Sequence, residues 1–238
     1  VLMGGGTDVD AAFKWHISRA GGGNYLVLRE SGTDAYNDYI YALGAKKECG
    51  GAGLSSVATL ILNTRAAGSD DFVLDKVRNA DAIWFAGGDQ SKYVDRISGS
   101  PLEALLREKG QNVTIGGTSA GNAIEGQWIY TGNKGSAVSS ECLQDPYNRY
   151  IGDGSLVTSI LSQTPLDDAK VIMDDHFVTR DRMGRMMTFV ARLVADGFSD
   201  AGDVVRGIGV DEVTALLVDE KGNLTTGLYV CLAHDVCK

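Results

Sequence analysis

The sequence predicts a doubly wound α/β fold, in which a mostly parallel sheet carries helices on both faces. Three observations lead there. Over the first 120 residues, short apolar runs rich in β-branched residues alternate with stretches of helical character, the pattern of parallel strands buried on both faces. Glycine supplies 31 of the 238 residues and proline three, against averages of about 7% and 5%; the clusters Gly4–Gly6, Gly87–Gly88 and Gly116–Gly117 fall at apolar strands, near the edge where open α/β sheets bind ligands. Hydrophobic residues at 44% and charged residues at 22% exclude a disordered chain, and the lack of a Gly-X-Y period excludes collagen. The length suits a single domain over 1–238.

Element by element, Val1–Gly4 reads as a strand and Asp8–Ala20 as a helix. Asn24–Arg29 is a strand and Asp34–Lys46 helical; Ser56–Leu62 is a strand, and Asp70–Asn79 a helix with Phe72, Leu74 and Val77 apolar. Ala82–Phe85 is a strand, followed by the helix Pro101–Lys109, whose proline sits in the first turn, where a missing N–H costs nothing. Val113–Ile115 is again a strand. Residues 127–165 read as long loops with short strands. Arg180–Val194 is the clearest helix: Met183, Met186, Met187, Val190 and Val194 form an apolar stripe at helical spacing, predicted to fill core. Val204–Val210, Ala215–Asp219 and Gly227–Leu232 read as strands, the last two a hairpin around Glu220-Lys221-Gly222-Asn223. Val1-Leu2-Met3 reads as strand interior without an initiator Met, which predicts a natural start further upstream.

The net charge of −9 disfavours nucleic acid and anionic membranes as partners, and no window reaches 18 apolar residues, so no transmembrane helix is expected. Cys49, Cys142, Cys231 and Cys237 allow two disulfides in three connectivities, or stay as thiols. They form no Cys-x-x-Cys pair, and the three histidines are scattered, so neither a metal nor another cofactor is expected. The sequons at Asn112 and Asn223, with the cysteines, lean toward a secreted origin over a cytoplasmic one; Asn223, in a turn, is the better acceptor.

Gly117-Thr118-Ser119-Ala120-Gly121 fits G-x-S-x-G between a predicted strand and a predicted helix start. That context makes Ser119 a candidate nucleophile on a sharp elbow. Of the histidines, His16 reads as surface or packing and His234 as structural, whereas His176 ends the apolar run Val171-Ile-Met-Asp-Asp-His176 beside Asp174 and Asp175. A carboxylate neighbour favours the charged imidazole and suits a general base. Asp174, Asp175 and Glu212 compete as its acid partner. The N–H of Ala120, with Gly87 or Gly88, is placed to form an oxyanion hole. Asp89 and Gln90 follow at the same edge. Arg180, four residues after His176, is a candidate for binding a substrate carboxylate, while Arg185 is as readily a solvated or structural charge.

Gly116-Gly-Thr-Ser-Ala-Gly121, Asp174-Asp-His-Phe177 with Arg180-x-Arg182-x-x-Arg185, and Gly207-Ile-Gly-Val-Asp-Glu212 resemble motifs of cyanophycinases, serine peptidases of the dipeptidase E group; Ala86-Gly-Gly-Asp-Gln90 and Ser139-Ser-Glu-x-Leu143 with Pro146-Tyr147 are similar to that family too. The resemblance implies a flavodoxin-like α/β fold of the class I glutamine amidotransferase kind. It implies hydrolysis of aspartyl or isoaspartyl peptide bonds, with release of β-Asp-Arg from cyanophycin as the family reaction. Ser119, His176 and Glu212 would be the catalytic residues, Gly88 and Ala120 the oxyanion hole, and Asp89, Gln90, Asp175, Arg180, Arg182 and Arg185 substrate-binding. Asp175 stands where the family usually has an amide, a change expected to favour a more cationic ligand or a different peptide. The partner implied is a peptide or cyanophycin-like substrate, with a homodimer kept open. Two other readings remain: another esterase or amidase on the same scaffold, with His234 as base, and a non-catalytic binding protein that kept the fold.

Overall fold

The computed structural model describes residues 1–44, 53–163, 165–200, 202–226 and 230–232. Its first sheet is built from Leu2–Met3 (β1), Asn24–Arg29 (β2), Ser56–Ile61 (β3), Ala82–Phe85 (β4) and Thr114–Thr118 (β5). The five run parallel in the order β1-β5-β4-β2-β3. Successive residues of a strand point to opposite faces, so Leu26, Leu28, Ile83 and Phe85 pack on one side, and Tyr25, Val27, Ala82 and Trp84 on the other. Asp10–Arg19 (α1) and Tyr36–Gly44 (α2) cover the second set through Phe13, Ile17, Ile40 and Leu43. Asp71–Arg78 (α3), Gln90–Ile97 (α4) and Pro101–Lys109 (α5) cover the first through Val73, Val77, Tyr93, Ile97, Leu102 and Leu106. Side-chain caps start two of these helices: the Asp70 carboxylate accepts the Phe72 and Val73 N–H groups, and Asp89 accepts that of Ser91 at 2.9 Å. The helix α4 has no counterpart among the sequence-based expectations, because its apolar stripe, Tyr93, Val94 and Ile97, is short.

After the one-turn helix Ala120–Ala123 (α6) the chain builds a second sheet. Trp128–Tyr130 (β6), the helix Ser139–Gln144 (α7), Leu156–Thr158 (β7), Val171–Asp174 (β8), the helix Met183–Ala195 (α8) and Arg206–Val210 (β9) follow. Ala215–Val218 (β10) and Leu224–Thr226 (β11) return antiparallel to the first sheet beside β1, while Val230–Leu232 (β12) pairs with β9. The second sheet has the order β12-β9-β8-β6-β7. Leu2 and Leu216 of the first sheet pack with Val171, Met173, Ile208 and Val210 of the second, so one apolar seam joins them and the ends of β5, β8 and β9 come together.

The α/β class with mostly parallel strands and helices is as the sequence predicts, and three particulars differ. The mostly parallel strands divide between two sheets. The partner of β10 is Leu224–Thr226, not the segment ending at Leu232, which crosses to the other sheet. The buried face of α8 is Arg185, Met186, Phe189, Arg192 and Leu193, while Met187 is 56% and Val194 50% exposed. The helix turns this way because Phe189 stacks on Tyr130 at 4.4 Å and the two arginines find buried acceptors. Cys142 is a buried free thiol. Cys49, the Gly50–Gly51 pair, His234 and Cys237 lie outside the described residues, as does the side chain of Cys231.

Candidate active site

Ser119 occupies the tight turn between β5 and α6, with φ 52° and ψ −119°. A backbone held in that region costs about 1–3 kcal/mol and persists only where its surroundings over-determine it. Here they do. The Ser119 N–H donates to Met3 O at 3.0 Å, and Ser119 O accepts the Ala123 N–H at 2.9 Å. The turn closes against β4 so tightly that a Cβ on Gly121 would stand 2.0 Å from Phe85 O, so only glycine fits there.

His176 reaches the serine from the second sheet. Its N–H donates to Gly4 O at 2.8 Å, and its own φ is 43°. The ring lies with Nε2 2.8 Å from Ser119 Oγ and Nδ1 2.5 Å from Glu212 Oε1. Gly5, at φ +105°, makes room for it: a Cβ there would sit 2.5 Å from the imidazole. Glu212 arrives from the loop after β9, with its side chain 30% exposed. Among the three acids considered as partner of His176, Glu212 alone faces Nδ1; Asp175 lies 3.7 Å from Nε2. The Gly87–Gly88 turn borders the same spot, since a Cβ on Gly87 would be 3.6 Å from that of Ser119. A hydroxyl, an imidazole and a carboxylate in line can move a proton off the hydroxyl.

The remaining candidates divide. Arg180 is exposed, with Nε 4.0 Å from Glu212 Oε1. The Asp89 carboxylate caps α4, and Gln90 Nε2 donates to Tyr130 O at 3.4 Å. Asp175, Arg182 and Arg185, expected to bind substrate, pair with one another and with Asp174. Arg185, 1% exposed, clamps Asp174 through Nε and Nη2 at 2.7 and 2.5 Å. Arg182 pairs with the Asp175 side chain and also donates to its carbonyl at 2.8 Å. Burial, with the nearby Asp174 charge, pushes the Asp175 carboxyl up; burial would lower Arg185, yet Asp174 more than offsets it and holds the guanidinium up. These groups face one another, and Asp175 also borders the imidazole. The arginine spacing alone could not show that, since it is equally that of a charged surface.

His16 is buried, with Nδ1 2.6 Å from the Tyr25 hydroxyl, a packing role. Sequence reasoning did not single out Asp211, whose carboxylate accepts two backbone N–H groups from the loop after His176; the signal available was its position immediately before Glu212. Among the described residues, no group of three or more His, Cys, Asp or Glu is placed to hold a metal ion.

No protein-family model matches the chain. A cyanophycinase from Geminocystis herdmanii is 30% identical over 164 residues, which cover 68% of this chain and 52% of that protein. One from Trichormus variabilis is 27% identical over 172 residues, 71% of this chain and 50% of that protein. The chain is thus cyanophycinase-like in sequence, and it spans about half the length of the curated relatives it matches. A crystal structure of a peptidase from an acI-B1 Actinobacterium superposes with a TM-score of 0.54, covering 90% of this chain and 80% of that one at 17% identity, a likeness of fold.

Proposed function

We propose that this cyanophycinase-like chain is a serine peptidase that hydrolyses aspartyl or isoaspartyl peptide bonds. The observation that carries the reading is the line Ser119 Oγ, His176 Nε2, His176 Nδ1, Glu212 Oε1, with contacts of 2.8 and 2.5 Å. In this reading Ser119 Oγ attacks the scissile carbonyl as His176 Nε2 takes its proton, and Glu212 fixes the ring and offsets the charge it gains. Nothing else on the chain is asked to carry that proton. The backbone N–H groups of Gly88 and Ala120 would receive the oxyanion. His176 then protonates the leaving amine, and water, deprotonated by the same nitrogen, releases the acyl group from Ser119. The strained turn at Ser119 supports a nucleophile elbow, because it holds the hydroxyl at the end of β5.

The substrate class rests on likeness to cyanophycinases, whose family reaction releases β-Asp-Arg from cyanophycin. Arg180, exposed at the rim beside Glu212, suits a substrate carboxylate. The test is mass-spectrometric analysis of products from cyanophycin and from a panel of isoaspartyl and aspartyl dipeptides, with wild type and S119A. Release of β-Asp-Arg, or of free aspartate from the dipeptides, by wild type alone is expected. Turnover by S119A equal to wild type would end the reading.

A further inference from the structure

Three loops meet around the imidazole, and one carboxylate ties two of them together. Asp211 links β9 to Glu212. Its Oδ1 accepts the backbone N–H groups of Val178 at 3.1 Å and Thr179 at 2.9 Å, the two residues that open the turn after His176-Phe177. That turn closes through Arg180 N–H on His176 O at 3.0 Å and Arg182 N–H on Phe177 O at 2.8 Å. On its other side, Asp211 O accepts the Thr214 hydroxyl at 2.6 Å. The same loop meets β1: Val213 N–H donates to Gly5 O at 2.9 Å and Gly4 N–H to Thr214 O at 3.1 Å. The fit is close enough that a Cβ on Gly4 would stand 2.0 Å from Asp211 O.

The knot holds backbone that does not hold itself. His176 at φ 43° and Val213 at φ 57° lie in the left-handed region, which is unfavourable for a β-branched residue above all. Both flank the contact between the imidazole and Glu212. Burial acts to raise the Asp211 carboxyl, but N–H donors from Thr179, Glu212 and Val178 outweigh it and keep the group below the usual carboxylate range.

We infer that Asp211 is a positioning residue for the proposed hydrolysis: by holding the loop after His176 to the loop that carries Glu212, it sets the imidazole at its distance from Ser119 without touching substrate. The inference rests on the reading of Ser119 as nucleophile. What the position demands is an acceptor oxygen where Oδ1 stands, so an amide serves and a displaced carboxylate does not.

The experiment is labelling of Ser119 by a fluorophosphonate, followed by mass spectrometry, on wild type, S119A, D211A, D211N and D211E. Wild type is expected to label at Ser119 and S119A not at all. D211N should label within about tenfold of wild type, and D211A and D211E about 100-fold more slowly, the scale of loss from a small misplacement of a reacting group. The loss should fall in the limiting rate at saturating probe, with the half-saturating concentration and the near-ultraviolet circular dichroism held. Should D211A fail to fold, the contrast between D211N and D211E carries the test. Wild-type rates in D211A or D211E, or D211N as slow as D211E, would overturn the inference and leave the Ser119 reading standing. So would a rise in the half-saturating concentration with an unchanged limiting rate, which would make Asp211 a binding residue. A wild type that does not label at Ser119 would overturn both.

Discussion

At the end of β8 the side chains of Asp174 and Asp175 turn to Arg185 and Arg182, whereas the imidazole of the next residue turns to Glu212 from the loop after β9 and to Ser119 from the turn after β5 of the other sheet. The first grouping is closed. Its four members are buried, each acid has a guanidinium, and all come from one stretch of twelve residues. The second is open: a line of three groups, each from a different loop, ending on a hydroxyl. Chemical type does not separate them, since both pair carboxylates with nitrogen bases. Partners do: the two acids pair with arginines of their own stretch, whereas the left-handed backbone at His176 lets its ring meet Ser119 and Glu212, with Asp175 3.7 Å from Nε2.

Breaking each grouping should have a different consequence. The largest effect is expected from S119A, which should lower the rate of peptide hydrolysis about 10⁴-fold or more, read by product formation under saturating substrate. E212Q should follow, with a loss of about 100-fold or more in kcat and a melting temperature close to wild type. R185M inverts that pattern: it leaves Asp174 buried without its main cation, so a loss of about 3–5 kcal/mol in urea unfolding is expected, while fluorophosphonate labelling per folded molecule changes little. If R185M instead kept its stability and lost turnover, the closed grouping would belong to the site.

A smaller effect comes from behind the elbow. Glu125 is 1% exposed, and burial pushes its carboxyl up to about 8. A folded-state value above the unfolded one stabilises the protonated form. Stability from this residue is therefore full below the unfolded carboxylate range and is lost as pH rises toward 8. E125Q should flatten the fall in melting temperature between about pH 4.5 and 8, as followed by thermal denaturation across that range; an unchanged slope would assign the pH dependence elsewhere.

Much of the first sheet can be read from the chain because its strands are short and covered twice. Asn24–Arg29, Ala82–Phe85 and Pro101–Lys109 lie at the boundaries the sequence predicts. Ser119 and His176 stand out for local reasons, a glycine-flanked turn and an apolar run ending in polar residues. What is not legible is contact across sheets. Glu212 could not be chosen over Asp174 or Asp175 from spacing, because the choice depends on which way β8 turns after Asp175. Arg182 and Arg185 read equally well as ligands, since nothing in a sequence says that two acids are already waiting for them. The stripe misleads at Met187 and Val194 for a related reason: a helix that must deliver Arg185 and Arg192 inward turns part of its apolar edge to solvent.

The most direct measurement is peptide mapping after fluorophosphonate treatment of wild type, H176A and R185M. If Ser119 is the hydroxyl that His176 activates, wild type and folded R185M carry the label on Ser119, and H176A labels at least about 100-fold more slowly. Labelling of Ser119 in H176A at the wild-type rate, or of a different residue in wild type, would contradict it.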